Sequence, residues 1–261
     1  MEMKFTNYTH KENKLNFEIM PAEIIGITGN TKEEIINLIS LRKLNKGTLT
    51  IDSVKITKDK LEQYRKKIVI IEKEIDTYHL TIINLMNDYI RRNKLIIKDP
   101  EKKINDSLKI VGLEQEILKR EIKTLSKSEK KLLQISMSLL SNPEIIIIEE
   151  PFKFLDKQAE KRLITLFRRL KEQFNKTIII VSDDSNILHK YTTKMFFIKT
   201  DNILLSGKTE EEYLKVDFLK KQKFEIPDII EFTYLAKNKK QVKIDYHKDI
   251  RDIIKDIYKH I

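Results

Sequence analysis

The sequence predicts an α/β fold built on a mainly parallel sheet, and three observations predict it. Apolar strands alternate with amphipathic helical stretches along most of the chain, the order that joins parallel strands through crossover helices. Ile145-Ile146-Ile147-Ile148 is apolar throughout, as a strand covered on both faces must be. A loop punctuated by Gly26 and Gly29 stands between an apolar strand and a helical repeat, a strand–loop–helix unit.

Residues 4–9 and 15–20 read as two strands around the polar turn 10–13. Residues 23–28 form a short buried strand, and 33–41 have helical periodicity through Ile35, Ile36 and Ile39. Gly47 opens a strand pair over 48–51 and 54–56, and 68–71 is a further strand. Residues 80–118 read as helices, with Ile82, Ile83, Leu85, Met86 and Ile90 on one face. Asp99-Pro100 breaks them before a helix over 102–111, which Gly112 ends. A helix over 128–140 stops at Asn142-Pro143, and the isoleucine strand follows. An amphipathic helix over 156–172, a buried strand over 177–181 and a hairpin of 194–199 with 203–205 complete the sheet. After Gly207 the pattern changes to a helix over 209–219, an extended stretch 224–227, a helix over 228–236 and a polar amphipathic helix over 246–261. No strand remains there, so a domain over 1–207, with a helical subdomain near 75–140, is expected to carry a helical extension over 208–261.

Composition narrows the function classes. A chain of 261 residues, 40% hydrophobic and 35% charged, can bury a sizeable core. The net charge of +11 points to anionic partners. Lysines are interleaved with acids along the whole chain, however, so no specific nucleic acid is expected. The absence of cysteine excludes disulfides and thiolate metal sites. No apolar run approaches the ~18 residues of a membrane helix, and Met1-Glu2-Met3-Lys4 does not open a secretory signal. Membrane association is therefore expected to run through a partner.

Gly26-Ile27-Thr28-Gly29-Asn30-Thr31-Lys32-Glu33 keeps the spacing of a phosphate-binding loop. Such a loop points backbone N–H groups at phosphates, sets a Lys on the β/γ oxygens and places a hydroxyl on Mg²⁺. Gly26, Gly29 and Lys32 match that pattern, while Thr31 replaces a Gly and Glu33 replaces a Ser or Thr. A β-branched residue restricts φ and hinders close backbone approach. A carboxylate beside phosphates at ~4 Å, with an effective dielectric near 20, repels by roughly 4 kcal/mol. Glu33 can bind Mg²⁺ instead, although its length disturbs octahedral geometry. The alternative is a loop that binds nothing, with Lys32 paired to a nearby carboxylate.

The isoleucine strand ends in Glu149-Glu150-Pro151. Glu150, at the end of a buried strand, is a fit general base. The alternative is two solvated carboxylates closing a strand. Upstream, Ser126 can cap a helix while Glu129 closes a capping box, a sufficient structural reason for both. That helix N-terminus can also offer its dipole to a phosphate held by a second subunit.

These pieces, in this order, resemble an ATP-binding cassette (ABC) ATPase over about residues 1–207. The family resemblance implies a P-loop NTPase nucleotide-binding domain with a parallel core, antiparallel N-terminal strands and a helical subdomain. It implies ATP and Mg²⁺ as cofactors. It places Gly26, Gly29, Asn30, Thr31, Lys32, Glu33 and Glu34 at the phosphates, with Glu33 and Glu149 at the metal. It makes Glu150 and Asp183 the catalytic pair, with Asp183 at the switch-histidine position. Lys73 falls on the Gln loop, Tyr8 on the adenine-stacking aromatic, Asp156 on the D-loop, and Ser126, Lys127, Ser128 and Glu129 on the signature tip.

The stretches 207–214, 218–219, 226–228 and 234–236 are similar to the C-terminal region of the A subunits of energy-coupling-factor (ECF) transporters, which import vitamins and metals. In that family two A subunits sandwich two ATP and drive a transmembrane coupling subunit. The departures Thr31, Glu33, Lys73, Lys127, Ser128, Glu149 and Asp183 all fall on groups that touch ATP. Glu33 and Asp183 add two negative charges to the half-site against one positive from Lys73, and losing one electrostatic donor typically costs ~10²–10³ in rate. The expected function is thus the ATP-binding subunit of an ECF-type importer with weakened or lost ATPase activity. Such a subunit would sit peripherally on the cytoplasmic face and pair as a heterodimer rather than a homodimer. The alternative is a soluble pseudo-ATPase scaffold for protein or nucleic acid. The excess of carboxylates further predicts that Lys32 pairs with Glu149, Glu150 or Asp183.

Overall fold

Alternate residues of the isoleucine strand enter opposite cores, and this divides the molecule into layers. Ile146 and Ile148 join a core of helical side chains, whereas Ile145 and Ile147 join a second core shared with the N-terminal strands. All four are fully buried, as period-2 side-chain alternation requires when both sheet faces are covered.

The computed structural model describes residues 1–42, 44–72, 81–153, 155–240, 246–247 and 250–259. The chain opens with β1 (Met3–His10), β2 (Asn13–Ile19), β3 (Ile24–Gly29) and α1 (Lys32–Ile39). Then come β4 (Thr48–Ile51), β5 (Val54–Lys55), α2 (Leu61–Arg65) and β6 (Ile68–Ile71). The helical stretch comprises α3 (Ile82–Arg92), α4 (Pro100–Val111), two 3-10 turns and α5 (Lys127–Leu140). The second half alternates β7 (Ile145–Glu149), α6 (Lys157–Phe174), β8 (Thr177–Val181), α7 (Ser185–Tyr191), β9 (Lys194–Lys199) and β10 (Asn202–Lys208). It closes with α8 (Thr209–Tyr213), α9 (Val216–Lys221), α10 (Asp228–Lys240) and α11 (Ile250–Lys259).

The main sheet has the order β10-β9-β3-β8-β7-β6, parallel except for β10. A smaller antiparallel sheet, β2-β1-β4-β5, packs with α1 against one face of it. Helices α3 to α7 and the extension cover the other face. The α/β class, the parallel core and the antiparallel start are therefore as the sequence predicts.

Several elements differ from expectation. The sequence predicts no element at α2 or α7; both are short, 5 and 7 residues, and lack a full apolar repeat. The single helix expected over 209–219 is two, α8 and α9, with Leu214 and Lys215 between them. Strand β10 runs through Gly207 to Lys208. Beyond it, Tyr213, Val216, Leu219, Ile226 and Ile230 enter the helix-side core. The extension thus shares the core of the sheet domain.

Candidate functional site

Parallel strands deliver their C-terminal ends to one edge of the sheet, where open α/β folds bind ligands. Here Ile27 of β3 pairs with Val181 of β8, and Val181 with Glu149 of β7. Gly29, Glu149-Glu150 and Ser182-Asp183 therefore meet by register alone.

The loop after β3 is fixed by sterics and by its neighbours. Gly29 has φ +122°, and a Cβ there would lie 1.8 Å from the Ile198 carbonyl oxygen, so only glycine fits. The Asn30 side chain accepts from the Thr200 N–H at 3.2 Å, and the Thr31 hydroxyl accepts from the Asp201 N–H at 2.7 Å. Asp201 in turn pairs with Lys11 at 2.6 Å. Thr31 stands at the N-cap of α1 but makes no side-chain cap; its oxygen is spent on the β9–β10 turn. Glu33 and Glu34 occupy the first turn of α1.

Lys32 is paired. Its ammonium donates to Asp183 at 2.6 Å, and Thr28 donates to the other oxygen of the same carboxylate at 3.3 Å. The predicted pairing of Lys32 with one of the three carboxylates is therefore observed, with Asp183 the partner. Lys32 keeps about a fifth of its side-chain surface open and Asp183 about two thirds, so the pair sits at the mouth of the site.

Glu150 is held from the β8 side. Ser182 donates to one carboxylate oxygen at 2.9 Å, and the Asp183 N–H approaches the other at 3.4 Å. Its backbone lies at φ +43°, with its N–H on the Val181 carbonyl at 2.8 Å. Burial raises the Glu149 carboxyl above the usual range, reinforced by Glu72 and Glu33 and opposed by Lys32 and Lys131. Glu33 and Glu149 thus feel each other's charge. Among the described residues, however, no three His, Cys, Asp or Glu gather into a metal site.

At the signature tip, Ser126 accepts from the Glu129 N–H at 3.2 Å and Glu129 accepts from the Ser126 N–H at 2.8 Å. Arg120 adds an ion pair to Glu129 at 2.8 Å. Lys127 and Ser128 begin α5 directly. Asp156 caps α6, accepting from the N–H groups of Gln158 and Ala159. Lys73 lies outside the described residues.

Tyr8 is a correction. Period-2 alternation from Met3 and Phe5 would turn it outward, but a bulge with Asn7 at φ +46° shifts the register. Its ring is buried edge-on to Phe5, and its hydroxyl accepts from the Asn45 N–H at 2.9 Å. It offers no face to an adenine.

Three residues at the site were missed. Thr28 and Ser182 orient the two acids, and their signal was position: each stands at or just past the end of a buried strand beside the loop. Lys131 is buried on α5, with its ammonium 3.1 Å from the Glu72 carbonyl and 3.5 Å from that of Glu149. A lysine on the Ile135–Ser138 face of a core helix was the available clue.

A glycine loop at the tip of a central parallel strand, its lysine facing acids at the tips of two neighbouring strands, defines a phosphate-loop nucleotide-binding domain of the cassette type. The model of the family described as ABC transporter matches residues 13–153, just over half of the chain, and the chain belongs to that family. Members of the family use ATP with Mg²⁺.

Among curated proteins, the chain is 26% identical over 258 residues to the energy-coupling factor transporter ATP-binding protein EcfA2 of Staphylococcus aureus (strain MRSA252), covering 95% of this chain and 89% of that one. It is 28% identical over 235 residues to EcfA2 of Clostridium acetobutylicum, covering 88% and 81%. Among solved structures, cbiO1 from Clostridium perfringens, part of the ABC transporter complex cbiONQ, superposes with a TM-score of 0.70 at 18% identity, covering 89% of this chain and 98% of that one. The dimeric ATP-binding cassette MJ0796 bound to ADP and Pi gives 0.64 at 22%, covering 79% and 98%. At these identities the two structures speak to the fold.

The residues present fit a nucleotide in part. The Gly29 turn and the uncapped start of α1 suit phosphate oxygens. The lysine that should meet them is on Asp183, and a carboxylate stands where a metal-binding hydroxyl is expected.

Proposed function

We propose that this chain is the ATP-binding subunit of an ECF-type ABC importer for a vitamin or metal ion, with an impaired nucleotide half-site. The curated relatives that span nearly the whole chain support the transporter class. The observation that carries the impairment is the ion pair between Lys32 and Asp183 at 2.6 Å. Any phosphate taken by the loop must compete with Asp183 for that ammonium. The site residues then act as follows. Gly29, Asn30 and Thr31 shape the loop, Gly26 leaves room within β3 for Met195, and Lys32 meets the phosphate once released. Glu150, oriented by Ser182, is the proton acceptor for an attacking water. Glu33 and Glu149 face the metal position, and ATP with Mg²⁺ supplies the transferable phosphoryl group when bound.

The partner is a second ABC ATPase subunit, and a heterodimer is favoured. Ser126 and Glu129 are engaged in their own cap, and Lys127-Ser128 replaces the usual glycines, so a homodimer would combine two poor halves. A transmembrane coupling subunit holds the pair at the cytoplasmic face. Among the described residues no helix is long and apolar enough to cross a membrane. The domain over 1–207 carries these functions and 208–261 extends it.

The test is to tag the chain in its own cells, solubilise membranes in mild detergent and identify what co-purifies. The proposal expects an integral membrane protein together with a second ABC chain bearing a complete signature tip. A chain found only in the soluble fraction, with no other ABC subunit, would overturn it.

A further inference from the structure

The segment that carries Asp183 is anchored from beyond the sheet domain. Asp183 leads directly into α7, which Asp184 caps by accepting from the Ile187 N–H at 3.0 Å. Helix α7 is gripped at two points by the C-terminal extension. Asn186 and Asp228 bond reciprocally: the Asp228 backbone N–H donates to the Asn186 side-chain Oδ1 at 2.8 Å, and the Asn186 side-chain amide donates to the Asp228 carboxylate at 3.1 Å. One turn on, the buried His189 ring meets the Tyr246 hydroxyl at 2.6 Å. Burial, with Glu210 adding, pushes that hydroxyl up to about 12, so it remains protonated at neutral pH.

The grip is continuous with the core. His189 lies edge-on to Tyr213, and Tyr213 and Phe224 both lie edge-on to Phe197 of β9. A cleft of about 400 Å³ opens between the extension and the phosphate loop, and Asn30, Asp183, Lys199 and Phe224 are among its walls. The extension thus reaches the nucleotide site along two routes, through α7 and across the cleft.

We propose that the C-terminal extension is an autoinhibitory strap: through Asp228 on Asn186 and Tyr246 on His189, it holds the Asp183 segment in the position where Asp183 occupies Lys32. Asn186 and His189 are positioning residues, since they act through Asp183 and touch no phosphate. Asn186 lies three residues beyond Asp183, and a hydrogen-bonded helix of 7 residues transmits a shift at its anchors to its first turn. Releasing the extension lets the Asp183 segment withdraw and frees the ammonium for an anion. The inference rests on the reading of Lys32 as the phosphate-contacting lysine.

The test measures the reactivity of the Lys32 amine in the full-length chain by competitive acylation and mass spectrometry, without nucleotide. Asp183→Asn serves as the reference, because it removes the partner directly. The strap variant is Asp228→Ala with Tyr246→Phe, which leaves α7 and the loop unaltered. The control is Lys220→Ala, which breaks the Lys220–Glu231 pair inside the extension and spares α7. The expected result is a several-fold rise at Lys32 in the reference and in the strap variant, with none in the control. A rise in the reference alone overturns the strap. A rise in strap variant and control alike also overturns it, as general loosening. No rise in the reference overturns the underlying assignment of the Lys32–Asp183 pair, and the strap with it. A circular-dichroism melt confirms that each variant is folded.

Discussion

Two helices begin at candidate phosphate contacts, α1 at this chain's own loop and α5 at the signature tip, and their N-termini are finished in opposite ways. At α5 the cap is closed: Ser126 and Glu129 satisfy each other's backbone N–H groups and Arg120 neutralises the acid. At α1 the cap residue Thr31 turns its hydroxyl to the β9–β10 turn and makes no side-chain cap. The same physical device, a positive helix end with orphan N–H groups, is closed by side chains in one place and has no side-chain cap in the other. The difference teaches where function can survive. The α1 end keeps its donors and its glycine cradle, with Lys32 committed to Asp183. At the α5 end two donors, the Ser126 and Glu129 N–H groups, are engaged in the cap, and a phosphate arriving from a second subunit competes with the cap for them.

The largest effect is expected at the α1 entry. Gly29→Ala places a Cβ against a backbone carbonyl at a left-handed φ. It should cost at least about 2 kcal/mol and distort the loop, read as a fall in the urea midpoint. At the α5 end, Ser126→Ala should cost about 1 kcal/mol, read the same way, and Thr31→Ala should produce no comparable loss of helix capping because Thr31 makes no cap. If the two substitutions fray their helices equally in amide exchange, the contrast fails.

The smallest effect is in pH. Burial alone would raise the Glu129 carboxyl, but the backbone and hydroxyl of Ser126, then Arg120, hold it below its ordinary value. A carboxyl depressed in the folded state contributes stability above its unfolded pKa and loses it as pH falls through the folded one. Wild type should therefore lose stability more steeply below about pH 4.5 than Glu129→Gln does. Identical acid limbs would deny the cap its charge.

Most of the scaffold was legible because its signals are local. The four isoleucines of β7 could be nothing but a doubly covered strand, and Gly112 ends α4 at a left-handed φ of +77°. Helix α7 was not legible: a 7-residue helix is shorter than any apolar repeat that would announce it. Tyr8 misled because a bulge at Asn7 is invisible to period-2 counting. At the site, Lys32 was expected to find a carboxylate from the excess of acids nearby, whereas its choice of Asp183 depended on sheet register across 151 residues of sequence. The contacts of α7 with Asp228 and Tyr246 span 42 and 57 residues and carry no local pattern at all.

The most direct measurement is calorimetric titration of ATP into the wild-type chain, Asp183→Asn and Lys32→Ala, with Mg²⁺ present. An exposed ion pair is worth up to about 1 kcal/mol, so removing Asp183 should tighten binding by as much as ~fivefold. Lys32→Ala should weaken it below wild type. Tight ATP binding by the wild-type chain, unchanged by Asp183→Asn, would contradict the account, for it would mean that Asp183 does not compete with phosphate for Lys32.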